Sequence, residues 1–165
     1  MKHTRTHRTS LNLRLSPFAM PLARARWALL PMALTPFLAL ANPTGGMVTV
    51  GQANISTGPS LTTIQQHSVS AVIDWQQFGI GNGESVHFIQ PSASAAVLNR
   101  VIGGSASQIM GNLSANGRVF LINPQGVMFG SGSRLDVGSL VASTLGITNE
   151  DFLAGRYVFS GAQAP

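Results

Sequence analysis

The sequence predicts an all-β chain built from many short strands. Apolar runs of three to eight residues, rich in β-branched and aromatic side chains, alternate with clusters of Gly, Pro, Asn and Ser. Asn123-Pro124-Gln125-Gly126 fits a type I turn position by position: Asn first, Pro second with φ preset, Gly fourth. Only 9% of residues are charged, against about 25% in ordinary globular domains, so the polar surface must come from Ser, Thr, Asn, Gln and Gly. That composition suits extracellular β-structure.

At 165 residues the length predicts one domain. The net charge of +5 is segregated. Residues 1–41 carry Lys2, Arg5, Arg8, Arg14, Arg24 and Arg26 with no acid, whereas in the remainder four arginines against five acids leave −1. Without residues 1–41 the chain is nearly neutral, and a nucleic-acid partner loses its electrostatic footing. Cysteine is absent, which excludes a disulfide framework and a thiolate metal site.

The front of the chain reads as a secretory signal with a long basic region. Residues 27–40 are apolar apart from Thr35, and Ala39-Leu40-Ala41 places small residues at the two positions a signal peptidase requires. The apolar stretch is shorter than the ~20 residues that span a bilayer, and Pro31 and Pro36 interrupt it. Cleavage after Ala41 leaves 124 of the 165 residues, beginning at Asn42.

From there the predicted strands are 47–50, 61–66, 71–78, 85–90, 95–102, 118–123, 127–129, 134–137, 140–145 and 157–160, with residues 79–83 the clearest loop. Asn116-Gly117 reads as a turn dipeptide before the strand at 118. Leu135, Val137 and Leu140 have the spacing to point inward while Asp136 and Ser139 face out. One short helix is expected near 148–154: Thr148 caps it, Glu150 and Asp151 fill its first turn, and Gly155 ends it, with Phe152 and Leu153 as anchors. This pattern fits a sandwich, a barrel or a solenoid.

A resemblance narrows that choice. The run Ala115-Asn116-Gly117-Arg118-Val119-Phe120-Leu121-Ile122-Asn123-Pro124-Gln125-Gly126-Val127-Met128-Phe129-Gly130 resembles the signature of the filamentous-haemagglutinin-type secretion domain, the N-terminal export module of two-partner-secreted exoproteins. The family turn usually reads Asn-Pro-Asn-Gly, so Gln125 is a departure that leaves the Pro and Gly constraints intact. A second block, Gln90-Pro91 followed by Leu98-Asn99-Arg100-Val101, is similar to the Gln-Pro…Leu-Asn-Arg-Val form of the family. A third lies at 136–145 and 151–155. Together they cover about residues 42–161.

The resemblance implies a right-handed parallel β-helix with an N-terminal cap, and at about 20 residues per coil 124 residues would make roughly six coils. It also implies the division into a signal at 1–41 and a secretion domain at 42–165, expected to be cut short at its C-terminal end. The implied partner is an outer-membrane β-barrel transporter with periplasmic polypeptide-transport domains, which carries the exoprotein through the periplasm to the cell surface of a Gram-negative bacterium. Asn123, Pro124, Gln125, Gly126, Gln90, Pro91, Asn99 and Arg100 are the positions expected to matter for export, either as transporter contacts or as turn-setters. Asn99 is expected to bond inside a coil corner, and Arg100 to pair with an acid on an adjacent rung.

The residues offer little to chemistry. Asp74 and Glu84 resemble a glycosidase carboxylate pair only in type, and their flanking of the 79–83 loop favours solvated turn positions. His67 and His87 lie 20 residues apart, one expected coil, but two ligands without a third make a poor metal site. Gly45-Gly46 and Gly103-Gly104 precede no phosphate-loop helix and are read as supplying positive φ at corners. Ser143 and His87 lack a triad signature. No catalytic residue, metal or cofactor is therefore assigned. The competing function is an adhesin that binds host glycan or protein itself, although in the resembled family such activity generally lies downstream; a polysaccharide-active enzyme is the third class.

Overall fold

The computed structural model describes residues 41–161. Residues 1–40 of the expected signal, including Ala39, lie outside the described residues; its last residue, Ala41, is the first within them.

The chain opens with an antiparallel cap. Strand β1 (Met47–Val50) pairs antiparallel with β4 (Ser70–Trp75), and β2 (Ala53–Thr57) pairs antiparallel with β3 (Leu61–Gln66). Among the strands from β3 onward, every pairing of one with another is parallel. On one face β3, β5 (Ser85–Ile89), the first half of β8 (Asn112–Ile122) and the first half of β10 (Arg134–Ser143) lie side by side. On a second face β4, β6 (Ala96–Val101) and the second halves of β8 and β10 do the same. A third, shorter face holds β7 (Ser107–Ile109) against β9 (Val127–Phe129), with Ile80 bridging to Ile109. Parallel neighbours separated by a full circuit of the chain make a β-solenoid of about 4 turns.

The coil is longer than expected and there are fewer of them. Leu61 lies opposite Ser85, Ser85 opposite Asn112, and Asn112 opposite Arg134, so successive coils take 24, 27 and 22 residues. The antiparallel cap and the final segment also use chain without adding a turn, which accounts for about four coils in place of six.

Two apolar clusters hold the coils. Inside the solenoid, Ile64, Ile73, Trp75, Phe88, Val97, Leu113, Val119 and Leu121 stack rung on rung. The second face is covered on its outside as well. There Val72, Leu98, Phe120 and Ile122 pack with Ile147 and Phe152 of the final segment, whose helix α1 is Asn149–Leu153. A sheet buried on both faces reads as continuous apolar sequence, as in Val119-Phe120-Leu121-Ile122.

Several expectations are corrected. Asn116-Gly117 does not interrupt a strand: β8 runs through it and bends from the first face to the second. The predicted pair 134–137 and 140–145 is one strand, β10, with a bulge between Val137 and Ser139. Residues 157–160 form a single bridge, Gly146 to Ser160, not a strand. Leu153 is 48% exposed, so Phe152 alone of the two anchors α1, through an edge-to-face contact with Phe120 at 5.4 Å. Among the described residues no helix is long and apolar enough to cross a membrane.

Candidate functional site

The motif residues occupy two different corners of the solenoid and the strand between them. At the corner joining the second face to the third, Asn123 follows β8 and is fully buried. Its backbone carbonyl accepts the Gly126 N–H at 2.9 Å, closing the turn, and its Oδ1 accepts the Gln125 N–H at 2.9 Å. Its Nδ2 donates to the Ser105 carbonyl at 3.0 Å and to Ser107 Oγ at 2.9 Å, tying the turn to the coil before it. Its own N–H donates to the Ser143 carbonyl at 3.0 Å in the coil after. Gly126 adopts φ +111°, a conformation that side chains other than glycine rarely take. Pro124 and Gln125 are exposed, and Gln125 bonds only through its backbone. That is why glutamine is accommodated at the position where the turn departs from the family form.

At the corner joining the first face to the second, Gln90 is 5% exposed. Its Nε2 shares two hydrogens among Gln66 Oε1 at 3.0 Å and the carbonyls of Ala95 at 3.3 Å and Arg118 at 3.4 Å. Gln66 in turn donates to the carbonyls of Ser68 and Ala96. Asn116 completes the stack as a backbone mimic: its Oδ1 accepts the Gln90 N–H at 2.7 Å and its Nδ2 donates to the Gln90 carbonyl at 2.8 Å. Pro91 is exposed beside this buried ladder of amides.

Asn99 lies mid-strand in β6, inside the core, and not in a corner as expected. It accepts the Trp75 indole N–H at 3.0 Å and donates to the Phe120 carbonyl at 3.3 Å. Arg100 points outward and joins three parts of the chain: Asp74 on the adjacent rung at 3.4 Å, the Ile147 carbonyl at 3.2 Å and Asn149 Oδ1 at 2.7 Å. It therefore fastens the final segment to the second face.

The remaining candidates fall differently. Asp74 is half-buried in β4 in that ion pair, and Glu84 is 5% exposed, accepting N–H groups from Gly81 and Ala41; neither is a solvated turn residue. Gly45 takes φ +64°, but Gly46 and Gly103 do not have positive φ. Those two are needed because a Cβ would strike the Trp75 ring and the Gln76 carbonyl. His67 and His87 are exposed, and the register partner of His87 is Thr63, so the histidines do not stack. Among the described residues no three His, Cys, Asp or Glu side chains are grouped to hold a metal. His87 Nδ1 lies 2.6 Å from Ser114 Oγ, with Asp136 beyond Ser114 on the next strand. Serine thus sits between histidine and carboxylate on an open sheet, so no carboxylate orients the imidazole.

Sequence reasoning missed Gln66, Gly117, Ser105 and Ser107. A signal for the first existed: Gln66 ends β3 and Gln90 directly follows β5, one coil on.

Comparison with known proteins places these features in a family. The model of the TPS secretion domain matches residues 39–163. Two relatives from Haemophilus influenzae, each named heme/hemopexin-binding protein, are similar to this chain: one from strain ATCC 51907 / DSM 11121 / KW20 / Rd is 47% identical over 102 residues, 62% of this chain, and the other is 45% identical over 98 residues, 59% of this chain. The matched stretch spans 11% of each relative's length. The crystal structure of the HMW1 secretion domain from Haemophilus influenzae superposes with a TM-score of 0.69 at 36% identity, over 74% of this chain and 32% of that one. With the family model covering the whole solenoid, the chain belongs to the TPS secretion domain family.

Proposed function

We propose that this domain is the export signal of a longer exoprotein, recognised in the periplasm by an outer-membrane β-barrel transporter and seeding β-solenoid folding at the cell surface. In this reading residues 1–41 are removed after Ala41 before transport, and the domain crosses the outer membrane unfolded. Membership of the secretion-domain family supports the role. The observation that carries the mechanism is the use of the motif side chains inside the solenoid, at two corners and within β6. Asn123, Gln90 and Asn99 are buried and bonded to neighbouring coils, which favours turn-setting. Each coil stacks on the one before it, so folding outside would proceed in chain order from the antiparallel cap and disfavour backsliding. Any direct contact to the transporter in the folded state falls to the exposed Pro91, Pro124 and Gln125, which lie at separate corners.

The test is secretion with a co-expressed cognate transporter. Asn123→Ala removes three side-chain hydrogen bonds and leaves the buried Ser107 hydroxyl without this partner, at about 1–3 kcal/mol for that group. It should lower both the stability of the domain and the amount secreted, and Pro124→Ala should lower secretion less. Unchanged secretion in both variants would remove the case for these turns, and lost secretion with undiminished stability would move Asn123 from turn-setting to contact.

A further inference from the structure

We infer that Glu84 is the receptor for the amino terminus created by processing, an α-ammonium at Asn42, so that removal of the leader completes the cap of the solenoid. This rests on the reading of cleavage between Ala41 and Asn42.

The uncut segment leaves two deficits, at Glu84 and at Asn42. Glu84 is 5% exposed, and its carboxylate accepts the Gly81 N–H at 2.6 Å on Oε2 and the Ala41 N–H at 3.1 Å on Oε1. Among the described residues it has no cationic partner, a costly state for a buried carboxylate. Asn42 is 7% exposed; its Nδ2 donates to the carbonyls of Gly58 at 3.3 Å and Pro59 at 3.2 Å, but its Oδ1 is buried without a donor. Glu84 thus lacks a positive charge, and Asn42, next in the chain to the residue Glu84 holds, lacks one N–H.

Hydrolysis supplies both. The bond from the Ala41 carbonyl carbon to the Asn42 nitrogen breaks, and water gives its hydroxyl to the carbon and its hydrogen to the nitrogen. An α-amine of ordinary pKa, about 7.7–8.0, then takes a further proton from solvent at neutral pH. The departing Ala41 takes with it the N–H bonded to Glu84 and the carbonyl packed against Gly79, where a Cβ would lie 2.7 Å from that oxygen. The new ammonium, one residue along from the N–H that is lost, carries three donors, against one unpaired carboxylate at Glu84 and one orphaned acceptor at Asn42 Oδ1. It has little slack: Pro43 is buried, and Thr44 is bridged to the residues just past β4 by its N–H to the Gln77 carbonyl at 2.9 Å and by the Gln76 N–H to its carbonyl at 3.0 Å.

The sequence provides a clean readout. Lys2 is the only lysine, so the processed chain holds one primary amine, that of its amino terminus. The full 165-residue chain is expressed in a Gram-negative host, the processed product is recovered from the periplasm, and its intact mass fixes the first residue. The product is then treated with an N-hydroxysuccinimide acetate ester at neutral pH, native and in urea. Acylation should be slower in the native protein by about tenfold or more, as for a group exposed only by local opening. Glu84→Gln should abolish that protection while the far-ultraviolet circular dichroism stays that of a β-protein.

Native acylation at the rate of the unfolded chain overturns the proposal, and so does protection that survives Glu84→Gln. Should that variant not fold, the wild-type comparison alone decides. An intact mass placing the amino terminus elsewhere overturns the cleavage reading, and this site with it, before any acylation is measured.

Discussion

Gly117 illustrates how a single residue is dictated by a neighbour one coil away. A Cβ at this position would lie 2.5 Å from Gln90 Oε1, which is buried, and 2.8 Å from the Ala95 carbonyl, which is backbone and cannot rotate aside as a side chain can. Gly117→Ala should therefore destabilise the domain by about 1–3 kcal/mol in denaturant unfolding, the usual cost of overpacking. Gly104→Ala, where no atom lies within 4 Å, should change stability by less than about 0.5 kcal/mol. Equal effects would mean that the amide ladder does not constrain the corner. The two corners were legible to different degrees for a physical reason. The Asn123 turn is written in four consecutive residues, because the Asx bond to Gln125 and the Gly126 closure are local. The Gln90 corner depends on Gln66 and Asn116, at separations of 24 and 26 residues, which no local pattern reveals until the coil length is known.

At the scale of elements, the short helix shows the same division between local and distant causes. Thr148 accepts the Asp151 N–H at 3.0 Å, as its position ahead of two acids predicts, whereas the choice of Phe152 over Leu153 as anchor is made by Phe120 on the second face. Strand β7 went unpredicted because Ser-Gln-Ile carries almost no strand signal; it is extended because β9 lies alongside it. The end of α1 also carries a pH dependence. The Thr148 hydroxyl, and then Arg156, hold the Asp151 carboxyl below its usual range. A depressed carboxylate contributes stability above its unfolded pKa, near 3.9, and the contribution is lost as pH falls through the lower folded value. The thermal midpoint of the wild-type domain should therefore fall more steeply than that of Asp151→Asn as pH is lowered below about 4. Parallel acid profiles would show that the Thr148 and Arg156 contacts give Asp151 no folding role.

Across the whole molecule, stability follows from the order of stacking. Each coil touches the coils before and after it, so its protection depends on how many of its faces are covered. Strand β6 lies between β4 and β8, and its side chains are buried on both faces, inside by the core and outside by the final segment. Strand β10 pairs on one side only among the described residues, and Leu135, although opposite the buried Leu113, is 43% exposed. An unpaired parallel edge with half-covered apolar side chains opens first. Native-state hydrogen exchange should accordingly protect the amides of Val97, Leu98 and Leu121 more than those of Val141 and Ala142, by about a hundredfold or more if β10 opens by a local route. A uniform exchange profile would instead mean that the coils unfold as one unit, and the stepwise folding invoked for export would lose its physical basis. The predicted gradient has a direction that matters for transport. With the antiparallel cap at the amino-terminal end, each coil would gain its second pairing only when the next one lands on it, and the second face would gain its outer cover only when the final segment arrives.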